Sequence, residues 1–98
     1  MLDTTLKEQL KTIFEGLEAT YIFDIVVSPQ HESRQELLEI LSDVTDCTDK
    51  ISNRITEGDG LSFTILKNGE KTGIRFRGVP NGHEFTSLLL AIMNLDGK

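Results

Sequence analysis

Leu61-Ser62-Phe63-Thr64-Ile65-Leu66-Lys67-Asn68-Gly69-Glu70-Lys71-Thr72-Gly73-Ile74-Arg75-Phe76-Arg77 is the stretch that decides the fold. Both of its halves alternate apolar and polar residues, as strands with one wet face do. Asn68-Gly69 between them tolerates the positive φ angles of a type I′ turn, so the stretch predicts a tight antiparallel hairpin. Upstream, Tyr21-Ile22-Phe23-Asp24-Ile25-Val26-Val27 is apolar almost without interruption and rich in β-branched and aromatic residues. That composition predicts a central strand covered on both faces. Lys50-Ile51-Ser52-Asn53-Arg54-Ile55-Thr56 alternates more weakly and reads as an edge strand, joined to the hairpin by the flexible turn Glu57-Gly58-Asp59-Gly60.

Helical spacing fills the remainder. Asp3 can cap a first helix whose Leu6, Leu10, Ile13, Phe14 and Leu17 share one stripe and which ends near Gly16 to Glu18. Ser28-Pro29-Gln30-His31-Glu32 breaks regular structure, and Ser33-Arg34-Gln35-Glu36 fits a capping box opening a second helix that runs to about Asp46. Its apolar positions Leu37, Leu38, Ile40, Leu41 and Val44 form a broad face. The turn Gly78-Val79-Pro80-Asn81-Gly82 leads into a last helix, from about Pro80 to His83 through Asn94, with Phe85, Leu88, Leu89, Ile92 and Met93 inward. The first strand, second helix and second strand make a right-handed crossover unit. The order helix, strand, helix, strand, hairpin, helix suits an α/β fold with a four-stranded mixed sheet and helices on both faces, the thioredoxin-like pattern. A ferredoxin-like split sheet would require the chain to begin with a strand, where an amphipathic helix is written instead.

Bulk composition narrows the function. With 98 residues there is room for one domain, spanning 1–98, with a single core. A hydrophobic content of 38% is too high for a disordered chain. The net charge of −6 and the scatter of ten basic residues along the sequence argue against a nucleic-acid partner, which draws its affinity from clustered Lys and Arg. The longest apolar run, Leu88 to Met93, falls far short of the ~18 residues a membrane span needs, and no signal sequence is written at the start. A cytoplasmic, membrane-free protein is expected. The lone cysteine, Cys47, excludes an internal disulfide, a Cys-x-x-Cys pair and a multi-cysteine zinc site.

Few residues stand out chemically. His83-Glu84 lies in the first turn of the last helix, where a carboxylate complements exposed N–H groups and the macrodipole; helix capping alone would account for it. His31 follows the central strand at the carboxyl end of the sheet, where α/β proteins keep their ligands, yet nothing at metal-ligand spacing accompanies it. Cys47 has neither a nearby His nor a basic cluster and reads as packing. Gly58-Asp59-Gly60 and Gly69-x-x-x-Gly73 lack the strand-to-helix context of a phosphate loop.

At Gly78-Val79-Pro80-Asn81-Gly82-His83-Glu84-Phe85-Thr86-Ser87-Leu88 the sequence resembles the N-terminal region of the F component of bacterial alkyl hydroperoxide reductase, where a Gly-His-Glu-Phe-Thr-Ser-Leu segment opens a helix. Met1-Leu2-Asp3-Thr4, Leu37-Leu38 and Ser62-Phe63 extend the resemblance over essentially the whole chain. In that family the region is a tandem of two thioredoxin-like folds, and this chain is similar to the first only. The resemblance implies a fragment of a larger flavoprotein disulfide reductase that uses FAD and NADH, neither of them held by this fold. It implies as partners the second thioredoxin-like half, the flavin body and, indirectly, the peroxiredoxin or C component. Laid on the general thioredoxin pattern, the two active-site cysteine slots fall on His31 and Arg34, and the proline slot before the third strand falls on Leu61. Neither His31 nor Arg34 can exchange disulfides, since that needs a thiolate. By the same resemblance Glu84, with His83 beside it, faces the cysteine pair of the other half, where a carboxylate raises a thiol's pKa and can relay its proton. The expected function is therefore a non-catalytic support for electron transfer. A stand-alone protein-binding adaptor and an independent thiol oxidoreductase are the alternatives.

Overall fold

The computed structural model describes residues 2–97, so Met1, quoted in the resemblance, and Lys98 lie outside the described residues. Seven elements follow in chain order: α1 (Thr4–Phe14), β1 (Tyr21–Val27), α2 (Arg34–Thr45), β2 (Ile51–Glu57), β3 (Leu61–Lys67), β4 (Glu70–Arg77) and α3 (His83–Leu95). The strands form one mixed sheet in the order β2-β1-β3-β4, with β1 central and β2 at the edge. β2 runs parallel to β1, and the pairs β1–β3 and β3–β4 are antiparallel. This is the predicted α/β, thioredoxin-like order.

The predicted hairpin forms as written. Asn68 and Gly69 both adopt positive φ, 54° and 85°, and join β3 directly to β4. Below the turn the ladder is interrupted. Leu66 pairs with Lys71 and Thr64 with Arg75, so Ile65 alone faces Thr72, Gly73 and Ile74. Gly73 takes φ +83°, and the Thr72 hydroxyl donates to the Ile65 carbonyl at 2.7 Å, satisfying an acceptor that the bulge strips from the ladder. Because the excess is an even number of residues, the alternation of faces along β4 survives it.

Helix placement departs from the expectation. Tyr21, Phe23, Ile25 and Val27 are buried, whereas Ile22, Asp24 and Val26 on the other face remain partly open. The buried face packs against Leu10 and Phe14 of α1, Leu37, Leu41 and Val44 of α2, and Leu88 and Ile92 of α3 in one cluster. All three helices therefore cover the same face. The short dimension of 22 Å fits one sheet and one helical layer. The reason lies in the β2–β3 connection. Residues 58–60 pass the end of β1, with Gly58 N–H donating to Val27 O and Ser28 N–H to Gly60 O, which leaves no chain there to build a helix over the second face.

Local expectations at the helix starts divide. Asp3 caps α1, its Oδ1 accepting from Leu6 N–H at 2.7 Å. The helix stops at Phe14, earlier than predicted, and Leu17 turns back into the core beyond it, while Ile13 is exposed. The capping box at α2 does not form: Ser33 makes no side-chain cap bond, and its N–H donates to His31 Nδ1 at 3.1 Å. The imidazole, two residues upstream, occupies the site that Glu36 would have filled.

Candidate functional site

β4 and β1 are both antiparallel to β3, so the turns leading into α3 and α2 emerge at the same rim of the sheet. That rim carries His31, Arg34, His83 and Glu84. His31, partly buried in the loop after β1, is held by the Ser33 bond, and its carbonyl accepts from Arg34 N–H at 3.1 Å. Arg34 opens α2, and its Nε is shut away from solvent without a hydrogen-bond partner. Asn53 Oδ1 on β2 is in the same condition, and both side chains line a groove of about 630 Å³ between α2 and the sheet edge. No local pattern anticipates that the two line one groove, which depends on the parallel register of β1 and β2.

Across the rim, Gly82 takes φ 54° as the N-cap of α3, a conformation that a side chain would strain. Buried Pro80 anchors the turn beside Leu2, Leu6 and Phe85 around a shallow depression of about 300 Å³. His83 and Glu84 follow, both exposed. Glu84 N–H donates to Asn81 O, and the helix has no side-chain cap bond. The Glu84 carboxylate therefore stands in the first turn, favoured by the helix dipole and open to whatever approaches the rim.

Cys47 lies after α2, away from the rim, buried, with Sγ 3.3 Å from Asp43 O and 3.6 Å from Lys7 O. Burial pushes its thiol above the ordinary value, against the lowering effect of Lys11 and Lys7. It is placed as packing. Among the described residues no group of three or more His, Cys, Asp or Glu could hold a metal ion. Neither Gly58-Asp59-Gly60 nor Gly69 opens a helix, since each joins two strands, so these glycines do not fit a dinucleotide phosphate. No described helix is long and apolar enough to cross a membrane.

The fold and rim define a thioredoxin-like α/β unit with an exposed carboxylate, Glu84, at one rim of its sheet and a single cysteine, Cys47. Comparison with known proteins narrows this to one kind of relative. Over 99% of its length the chain is 41% identical to the F component of alkyl hydroperoxide reductase from Pseudomonas aeruginosa, and over its full length 36% identical to that of Staphylococcus aureus. It spans only 19% of either relative. No family model matches the chain. Among solved structures, the NTD_N/C domain of the alkylhydroperoxide reductase AhpF from Enterococcus faecalis superposes with a TM-score of 0.89 at 26% identity, covering 98% of this chain and 53% of that one. A variant of the same organism's AhpF gives 0.87 at 27% identity. The chain is thus similar, from end to end, to one portion of the F component of alkyl hydroperoxide reductase, and that portion is the thioredoxin-like unit described above.

Proposed function

We propose that this chain is the non-catalytic first thioredoxin-like unit of an AhpF-type peroxiredoxin reductase, acting in the cytoplasm. It supports electron transfer through the disulfide of a second unit and catalyses nothing alone. FAD and NADH belong to the flavin body of that longer protein, and the peroxiredoxin component receives the electrons. The observation that carries the reading is the exposed Glu84 carboxylate at the rim, in a segment that matches a reductase along the whole chain. His31 and Arg34 stand where the thiol pair of an active unit would sit. His31 is committed to the Ser33 N–H, and neither residue can attack a sulfur.

In the longer protein, Glu84 and His83 would face the second unit's cysteines. A carboxylate near a thiol disfavours the thiolate and can accept or return its proton as the disulfide opens and closes. Peroxiredoxin-reductase activity of the longer protein, measured against pH, tests this role. Glu84→Ala is expected to move the profile toward lower pH while leaving the fold intact, and an unmoved profile would remove Glu84 from the mechanism. The helix-free sheet face favours a second reading, a stand-alone adaptor that binds protein through it. A reading frame that stops after Lys98 would select the adaptor.

A further inference from the structure

The turn that delivers Glu84, residues 78–82, has few ties of its own. Gly78 N–H donates to Leu61 O at 3.0 Å, and beyond that bond, among the described residues, no hydrogen bond joins residues 79–82 to any element but α3 itself. Packing has to place the turn. Pro80 and Phe85 are buried, and they line one depression with Leu2, with Leu6 of α1 and with Ile40 of α2. Leu2 and Leu6 pack against the core cluster that contains Phe85.

Leu2 is itself fixed from two sides. Its neighbour Asp3 caps α1 through Leu6 N–H at 2.7 Å, and Leu2 N–H donates to Asp43 Oδ2 at 3.0 Å, across 41 residues of sequence. The other oxygen of that carboxylate, Oδ1, lies 3.4 Å from Lys7 Nζ. Asp43 stands in the last turn of α2 with its side chain 16% exposed, whereas Glu36, Glu39 and Asp46 nearby are exposed. Helix formation does not explain it, since a carboxylate in a last turn opposes the macrodipole. What it gains there is the backbone N–H of Leu2 and the charge of Lys7.

We propose that Asp43 is a positioning residue for the Glu84 carboxylate. By tying Leu2 beside the turn that opens α3, it fixes where that carboxylate stands relative to the second unit's thiol pair, and it touches no reacting atom itself. The proposal rests on the reading of Glu84 as the carboxylate that acts on those thiols. Two charges interact in inverse proportion to their separation, and more weakly when water lies between them. A loosened turn therefore weakens the effect of Glu84 without removing it.

Titration of the second unit's reactive cysteine in the longer protein tests the tie. Glu84→Gln lowers that thiol's pKa on the reading above, and Asp43→Ala is expected to lower it by at least about half as much. In the Glu84→Gln background Asp43→Ala is expected to add nothing, because residues that act through one another are not additive. Asp43→Asn keeps an oxygen for Leu2 N–H and drops the charge, and it is expected to keep the original titration curve. Leu2→Ala removes the packing while leaving Asp43 in place, and it is expected to reproduce the Asp43→Ala shift at unchanged circular dichroism. An Asp43→Ala curve that superimposes on the original would overturn the proposal. So would an equal shift in both backgrounds, which would mean that Asp43 acts on the thiol by its own charge or through the fold at large. A shift with Asp43→Asn as large as with Asp43→Ala would overturn the role of the hydrogen bond, and a Leu2→Ala curve that does not move would overturn the role of Leu2. If Glu84→Gln leaves the pKa where it was, the reading of Glu84 fails and takes this proposal with it; if Glu84→Gln lowers the pKa and Asp43→Ala does not, the positioning alone fails.

Discussion

The hydroxyl of Tyr21 donates to Asp96 Oδ1 at 2.7 Å, tying the first residue of the central strand to the residue that ends α3. The same carboxylate accepts from Glu18 N–H and Ala19 N–H, both at 2.9 Å in their shorter contacts, so one buried acid closes the loop between α1 and β1. Asp96 is 7% exposed, and removing it would leave two backbone donors and a phenol without that partner. Asp96→Ala is expected to cost on the order of 3 kcal/mol, and Tyr21→Phe about 1–2 kcal/mol, in chemical denaturation. Equal, small losses would mean that the network contributes little.

Tyr21 also gives the fold an alkaline limit. Burial, then the hydrogen bond and charge of Asp96, raise its pKa well above the ordinary 10.0. The folded state thus retains a proton that the unfolded chain releases. The Tyr21 contribution to stability is complete below pH 10 or so and is lost as pH climbs toward the raised value. As the sole tyrosine, its tyrosinate absorbance can be followed directly. Ionisation is expected to coincide with loss of the circular dichroism signal; ordinary titration in an intact fold would refute this.

Cys47 is expected to be inert. With its thiol pushed up by burial and seated against two carbonyls, the thiolate fraction at neutral pH is small and the sulfur inaccessible. A thiol-specific reagent should modify it only at the rate of opening, accelerating in denaturant. Fast modification of the native chain would contradict the placement.

Gly58 makes the short crossing over the end of β1 possible. A Cβ there would sit 2.6 Å from Val26 Cγ1, on a β-branched side chain that is stiff at χ1. Gly58→Ala is expected to destabilise by about 1–3 kcal/mol through overpacking, and an unchanged melting temperature would contradict the close approach.

The alternation of Leu61–Lys67 and the Asn68-Gly69 turn made the hairpin legible, because both signals are local. The helices were legible from their apolar spacing. What could not be read was which face each helix covers. The nearly continuous apolarity of Tyr21–Val27 reports that both faces want cover, without saying that Ile22 and Val26 find no helix in this chain. The capping box failed for a similar reason: Ser33 and Glu36 have the right spacing, but the preceding loop brings His31 closer to the same N–H. Lys71, Arg75 and Arg77 look like an ordinary wet strand face until the register aligns them with Ile22, Asp24 and Val26. Tyr21 and Asp96 lie 75 residues apart, and no pattern in the sequence links them.

The central claim, that Glu84 acts on a thiol it does not itself carry, is tested most directly by titrating the second unit's reactive cysteine in the longer protein, with Glu84 and with Glu84→Gln. Removing the negative charge makes the thiolate easier to form, so the thiol pKa is expected to fall by about half a unit or more. Superimposable titration curves, with both proteins equally folded, would contradict the account.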